Sequence, residues 1–296
     1  MLYVIYSPLC EQNGAFLGQL EEWLEGKDIE MIAIPFDAIT AREKGWYRAA
    51  GLVDSHGRFK RSVFIDVFFE GRLIDSVPLK REKIERALNV QIEEKEDEGP
   101  QEVGEELSIA EFRALIFSGE VEWFQIDRAT YRDEMRLCLE NYPYGNPPQR
   151  FHQRCLQLKE KVFNEVFTKE RIAGVFAKWQ GKVIGLLEVF PREIIKRYGY
   201  LAGRQGEDED YLTVGCLEVG YGIPRKEMID ELMFHLELSY PDFQRHILEG
   251  VGRFEWSGGF MPYWVYDKYG FHRSEVIDER TVIMEKLIHE NKGGQT

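Results

Sequence analysis

The sequence has few cysteines, no long apolar run and no excess of basic residues. The four cysteines, Cys10, Cys138, Cys155 and Cys216, are widely spaced and include no Cys-x-x-Cys pair, which argues against a disulfide framework and against a zinc ribbon. No stretch approaches the roughly 20 apolar residues that cross a bilayer, and the N-terminal segment lacks the basic start of a signal peptide. We therefore expect a cytoplasmic protein with reduced thiols that does not span a membrane.

The chain has a formal net charge of −14. Binding to nucleic acid requires a basic face that neutralises phosphates, so this charge argues against a nucleic-acid partner. The six histidines show no metal-ligand spacing, so we expect no metal site. Half of the net charge lies in residues 91–106, which carry one basic and eight acidic residues. A self-repelling segment that contains Gly99-Pro100 is typical of an extended linker.

The length of 296 residues suits two domains, because a domain usually holds roughly 100 to 200 residues. We place the acidic linker at residues 91–106, between a first domain at residues 1–90 and a second domain at residues 107–296. Both parts alternate short β-rich runs with stretches of helical periodicity. The sequence therefore predicts two domains of the α/β (α+β) class.

In residues 1–90 the pattern predicts the element order βαβαββα. The turn Ser7-Pro8-Leu9-Cys10 separates the first strand from the first helix. This order and this turn resemble a thioredoxin-like domain. Ser7 stands where such a domain carries its attacking cysteine, and a hydroxyl has no accessible thiolate-like form near neutral pH. The sequence thus favours a structural or partner-binding domain over a redox enzyme, and a thiol sensor that uses Cys10 is a further alternative.

Residues 107–296 contain three informative segments in a fixed order. A hairpin reads Gly-Lys-Val-Ile-Gly-Leu-Leu-Glu at 181–188, a strand reads Leu-Thr-Val-Gly-Cys-Leu-Glu-Val at 212–219, and an aromatic-rich helix with a closing Gly-Phe covers 262–271. Together these segments resemble the GNAT N-acetyltransferases, whose fold has a mixed, mainly antiparallel sheet. The resemblance implies acetyl-CoA as co-substrate and direct transfer to an amine, which we expect to be a small molecule.

The resemblance also implies roles for individual residues. Tyr266 would protonate the departing thiolate as a general acid. Glu218 would be the general base if it faces the cleft, whereas turned to solvent it would be an ordinary polar residue. Leu217 and Val219 would offer backbone groups to the cofactor. The next helix start would hold the pyrophosphate, because helix N-termini favour anions; this segment consists of Arg225, Lys226, Glu227, Met228, Ile229, Asp230 and Glu231.

The pyrophosphate segment departs from the family pattern, which has small residues where this chain has Met228 and Asp230. We expect Met228 to add bulk where a phosphate approaches the backbone, and Asp230 to repel the phosphate unless it points away. A carboxylate about 5 Å from a phosphate charge costs roughly 3 kcal/mol at an effective dielectric constant of about 20, and a helix terminus returns only about 0.3 to 1 kcal/mol. A catalytically inactive GNAT-like binding or scaffold protein is therefore the alternative function.

Overall fold

The computed structural model describes residues 1–93, 106–142, 145–255 and 261–288. The chain forms two compact units: the first comprises residues 1–99, 147–162 and 196–201, and the second comprises residues 100–146, 163–195 and 202–296. The first unit thus includes two segments from the second half of the chain. Most of the predicted linker at 91–106 lies outside the described residues, so the boundary stays a prediction. None of the helices in the described ranges is long and apolar enough to cross a bilayer.

A four-stranded sheet forms the core of the first unit. Its elements are β1 (Leu2–Tyr6), α1 (Asn13–Leu24), β2 (Met31–Pro35), α2 (Ala41–Ala49), β3 (Ile65–Phe69), β4 (Arg72–Ser76) and α3 (Arg81–Leu88), which confirms the predicted order βαβαββα. The strands lie in the order β2-β1-β3-β4. Strands β1 and β2 are parallel, and β3 is antiparallel to both β1 and β4. Alternating apolar side chains such as Leu2, Val4, Ile65 and Val67 are buried in this core.

A seven-stranded sheet forms the core of the second unit. Its strands are β5 (Glu122–Gln125), β6 (Gly174–Trp179), β7 (Lys182–Pro191), β8 (Tyr211–Val219), β9 (Ile247–Arg253), β10 (His272–Asp278) and β11 (Thr281–Leu287). They lie in the order β10-β11-β9-β8-β7-β6-β5. Only β8 and β9 are parallel among these described strands, and every other neighbouring pair is antiparallel. The expected mixed, mainly antiparallel sheet is confirmed.

Seven helices follow α3 in the described part of the chain. They are α4 (Ile109–Ser118), α5 (Tyr131–Glu134), α6 (Arg136–Glu140), α7 (His152–Val166), α8 (Arg192–Arg197), α9 (Arg225–Leu238) and α10 (Tyr263–Lys268). Helical periodicity predicts α7, α9 and α10. It predicts a single helix at 131–140, where the structure has α5 and α6, and it misses α4 and α8. The strand pattern misses β10. A capping box between Ser108 and Glu111 starts α4, and this Ser-x-x-Glu pattern is the signal that could have revealed it.

The two faces of the seven-stranded sheet are covered by different helices. Met228 of α9 packs on Gly185 of β7, so Gly185 faces α9. Side chains alternate along a strand, and Glu188 and Phe190 therefore point to the opposite face. On that face Phe190 contacts Phe163 of α7 with the ring centroids 5.7 Å apart. We name the two sides the α9 face and the α7 face.

Candidate functional site

The parallel strands of the seven-stranded sheet separate part-way along their length. Strands β8 and β9 pair at three positions, of which the last places Thr213 opposite Glu249, and no further pairing follows between them in the described residues. Strand β8 nevertheless continues to Val219 and stays paired with β7 on its other side. The edge of residues 214–219 that faces β9 therefore has backbone N–H and C=O groups that a ligand can use.

A β-bulge explains where the strands separate. The register between β7 and β8 shifts between Glu188 and Val189, because Gly215 is an additional residue in β8. A bulge bends its strand and increases its twist, which turns the rest of β8 away from β9. Gly215 has to lack a side chain, since a β-carbon there would lie 2.6 Å from Cδ2 of Phe190.

Tyr266 lies at the point of separation. Its ring packs on Gly250, which follows Glu249, the last residue of β9 that pairs with β8. A β-carbon at Gly250 would lie 2.3 Å from Cε1 and 2.7 Å from Oη of Tyr266, so only glycine permits this arrangement. The side chain is 3% exposed, and burial raises the pKa of the Tyr266 phenol. The hydroxyl consequently keeps its proton throughout the neutral pH range.

Glu218 lies on the α7 face of β8. It is opposite Leu186 of β7, just as Cys216 is opposite Glu188, and residues directly opposite each other share a face. Glu218 is partly buried and Glu188 is buried. The two carboxylates are diagonal neighbours on adjacent strands, a spacing of roughly 7 Å between β-carbons. The sequence analysis missed Glu188, whose signal is a single acid inside the apolar run of β7.

Leu217 and Val219 alternate with Glu218 and face the other side. Val219 belongs to the buried apolar cluster that α9 covers, and the partly buried Leu217 packs against it. Only their backbone groups are therefore placed to serve a ligand, which is the role that the sequence resemblance implies for them.

The N-terminus of α9 follows β8 after five residues. Pro224 occupies the N-cap position, and no side chain caps the first turn, so the first N–H groups of the helix have no intrahelical partner. Nε of Arg225 is buried and has no hydrogen-bond partner in the described part of the chain, and Lys226 is exposed. Free amides, the positive end of the helix dipole and two cations together favour an anion such as a diphosphate.

The expectation that Met228 obstructs this helix end is wrong. The Met228 side chain is fully buried, and Sδ lies 2.6 Å from the position that a β-carbon of Gly185 would occupy. Ile229 is buried in the same apolar cluster. Both side chains hold α9 against the sheet, and neither lies on the outer surface of the first turn.

Asp230 is directed at α10 and is compensated by cations. It accepts hydrogen bonds from Nζ of Lys268 and Oη of Tyr269, and Nζ of Lys226 lies 3.6 Å from its carboxylate. Burial alone would raise the pKa of Asp230, but these partners hold it below its ordinary value. The repulsion expected from the sequence is therefore offset, because the negative charge of Asp230 is shared with two lysines and a phenol.

The first two turns of α9 carry two further acids, Glu227 and Glu231. Oε1 of Glu227 lies 3.6 Å from Nη2 of Arg113. Burial, and after it the charge of Asp230, raises the pKa of Glu231. Arg113 offsets part of the negative charge at this helix end.

A buried ion pair holds the paired end of β8 and β9. Glu249 and Arg192 are both fully buried. Glu249 accepts a hydrogen bond of 2.6 Å from Oγ1 of Thr213, and its Oε2 lies 3.4 Å from Nη1 of Arg192. Nε of Arg192 donates to Asp208 at 2.8 Å. This network, which the sequence analysis missed, fixes the last strand pair before the separation.

Several solved structures of acetyltransferases are similar to this chain. An aminoglycoside 6'-N-acetyltransferase from Enterococcus faecium is 16% identical with a TM-score of 0.38, covering 57% of this chain and 98% of its own. An aminoglycoside 6'-N-acetyltransferase complexed with coenzyme A gives the same four values. A GNAT-family acetyltransferase from Bacillus cereus is 11% identical with a TM-score of 0.34, covering 56% of this chain and 96% of its own.

The sequence matches no family model, and the comparison with curated proteins finds no match. The TM-scores of the similar structures lie below 0.5 and the identities below 25%. Within the described ranges, no group of three or more histidine, cysteine and acidic side chains is arranged to hold a metal ion.

Proposed function

We propose that residues 107–296 form a GNAT-type N-acetyltransferase domain that uses acetyl-CoA and acetylates a small-molecule amine directly. The observation that carries the proposal is the separation of the parallel strands β8 and β9 after Thr213 and Glu249, with Tyr266 at that point. The open edge of β8 and the uncapped start of α9 are joined by five residues, and the buried phenol of Tyr266 lies where that edge begins. These three features fit a thioester that carries a diphosphate at its far end.

The residues of this path fit acetyl-CoA. The first-turn amides of α9 and the side chains of Arg225 and Lys226 would hold the diphosphate, in the segment that extends to Glu231. The open edge of β8, including the backbone of Leu217 and Val219, would hold amide groups by strand-like hydrogen bonds. When bound, acetyl-CoA supplies the acetyl thioester. Met228 and Ile229 would contribute through their backbone alone, since their side chains are in the core.

Three side chains would serve the amine and its proton. Tyr266 would hold a proton on Oη and deliver it to the departing sulfur, which its raised pKa permits across the neutral range. Glu218 would accept the proton of the amine, directly or through a water. Glu188 would add a second negative charge on the same α7 face and so attract a protonated amine.

Arg225→Ala tests the diphosphate site. Acetyl-CoA at about 100 times its Kd should stabilise the wild-type chain by about 2.7 kcal/mol, which raises Tm by roughly 5 to 10 °C for a domain of this size. Loss of a hydrogen bond from a charged group costs about 1.5 to 3 kcal/mol, so Arg225→Ala should weaken acetyl-CoA binding roughly 10- to 100-fold. Calorimetric titration measures this change directly.

The matched control is Arg280→Ala, because the Arg280 side chain is 78% exposed in the turn before β11 and should leave acetyl-CoA affinity unchanged. An unchanged Tm and no heat of binding with the wild-type chain would favour the inactive scaffold over the enzyme. Equal affinities of the two variants for acetyl-CoA would instead show that the diphosphate does not bind at Arg225.

For residues 1–90 we propose a thioredoxin-like domain without dithiol chemistry. The strand order β2-β1-β3-β4 supports this proposal. Ser7 is fully buried, and its Oγ accepts a hydrogen bond from the N–H of Leu9, so its hydroxyl stabilises the turn. Cys10 is partly buried. The side chain of Ser7 therefore has a structural role in this turn.

A further inference from the structure

Two glycines of α1 let the chain segment 147–162 approach closely. A β-carbon at Gly14 would lie 2.8 Å from the backbone N and Cα of Cys155, and one at Gly18 would lie 2.4 Å from Cε1 of Phe151. Gly14 and Gly18 are four residues apart and therefore share one face of the helix. This face of α1 is shaped to receive the first half of α7 and the residues before it.

A buried lysine covers the turn between β1 and α1. Lys159 of α7 is 1% exposed, and its Nζ donates to the carbonyl oxygen of Leu9 at 2.6 Å and to Oε2 of Glu11 at 3.2 Å. Glu11 is itself buried. The turn between β1 and α1 is thus covered by a helix of the same chain.

The segment 196–201 binds the residues that precede β3. The N–H of Val63 donates to the carbonyl oxygen of Gly199 at 2.8 Å, and the N–H of Leu201 donates to Oγ of Ser62 at 2.9 Å. The ring centroids of Phe64 and Tyr200 lie 4.9 Å apart. We use the name clamp surface for residues 7–18 and 62–64, which receive these two segments.

We propose that the clamp surface is an internal binding site, which holds segments 147–162 and 196–201 of its own chain tightly enough to keep residues 1–99 bound after the chain is cut. The clamp does not depend on the proposed acetyltransferase function.

Cleavage of the full chain at a protease site inserted after Gly99 tests the clamp. The two fragments should stay together and elute as a single peak in gel filtration at about 0.1 M and at about 1 M salt. The exposed pairs Arg150 with Glu22 and Arg154 with Glu21 weaken in salt, whereas the buried contacts of Lys159 do not. Fragments that elute separately at the lower salt concentration would overturn the proposal.

Gly18→Ala and its matched control Gly45→Ala sharpen the test. A methyl group at Gly18 displaces Phe151, whereas one at Gly45 in α2 meets nothing within 4 Å. Since overpacking weakens a fitted contact, the cleaved Gly18→Ala chain should dissociate at least about tenfold more readily than the cleaved Gly45→Ala chain. Cys155 is fully buried and burial raises the pKa of its thiol to about 12, so alkylation of Cys155 should accelerate only in Gly18→Ala.

Acetyl-CoA binding separates this proposal from the proposed function. In the uncleaved Gly18→Ala chain, Kd for acetyl-CoA should stay at the wild-type value. Equal elution and equal Cys155 alkylation for the two glycine variants would overturn the clamp. A wild-type chain that binds no acetyl-CoA would overturn the acetyltransferase and leave the clamp standing, and if Gly18→Ala does not fold, cleavage of the otherwise wild-type chain decides.

Discussion

Tyr266→Phe should lower kcat for acetyl transfer by about a hundredfold to ten-thousandfold, the usual contribution of a positioned general acid. The phenylalanine ring keeps the packing on Gly250, so Kd for acetyl-CoA and Tm should stay close to those of the wild type. Because burial raises the pKa of Tyr266, the wild-type enzyme should show no loss of kcat through phenol ionisation in the neutral range. Steady-state kinetics with calorimetric titration measures these quantities.

Tyr263→Phe is the matched control for this prediction. Tyr263 lies on the same helix, but its ring packs on Arg273, whose Cζ is 3.9 Å from the ring centroid. It should therefore retain the wild-type kcat. If Tyr266→Phe keeps kcat within about threefold, another group protonates the sulfur, and Tyr266 serves only to pack α10 against β9.

Arg192→Met should destabilise the protein by about 3 to 5 kcal/mol, because it leaves Glu249 charged and buried without its partner. The substitution also removes the hydrogen bond of 3.0 Å from Arg192 to the carbonyl oxygen of Gly206. It removes as well the contact in which Cζ of Arg192 lies 3.6 Å from the Tyr211 ring centroid. Denaturant unfolding measures the change. Arg136→Met, which removes an exposed pair with Glu140, should change stability by less than about 1 kcal/mol.

The effect of Arg192→Met should depend on pH in a defined direction. Burial raises the pKa of Glu249 and Arg192 opposes that rise, so removing Arg192 raises the pKa further. A carboxyl whose pKa is higher in the folded state favours folding at low pH and loses that contribution as pH rises through the folded pKa. The deficit of Arg192→Met should therefore increase as pH rises above the ordinary pKa of a carboxyl.

Addition of Glu249→Gln to Arg192→Met removes the buried charge and should restore part of the stability at the higher pH. The amide can still accept the hydrogen bond from Thr213. A double variant that is no more stable than Arg192→Met would show that the lost packing of Arg192, rather than the uncompensated charge of Glu249, accounts for the destabilisation.

Most strands and long helices of this protein can be predicted from local sequence. Alternating apolar residues indicate β8, which the structure places at Tyr211–Val219, and helical spacing indicates α9. Strand β10 was missed because its residues are mostly partly or fully exposed and do not alternate clearly. Helix α8 was missed because it has only six residues, Arg192–Arg197, which is too short for helical periodicity to emerge.

The candidate site was accessible to sequence reasoning only in part. The residue types and order of β8, α9 and Tyr266 indicate the chemistry, but the direction of a side chain depends on what packs against it. The sequence alone predicts that Met228 is an obstacle, because nothing local shows that Gly185 receives its side chain. It predicts that Asp230 repels a phosphate, because the partners of Asp230, Lys268 and Tyr269, are about forty residues away in the sequence.

The sequence by itself determined the alternation of strands and helices, the acidic segment at 91–106 and the presence of a serine, Ser7, in the turn after the first strand, because periodicity, charge density and residue identity are local properties. Tertiary structure alone decided that β8 leaves β9 at a bulge, that Tyr266 rests on Gly250 at that point, and that residues 147–162 pack on α1. Each of these arises from contacts between residues far apart in the chain, which no local pattern encodes.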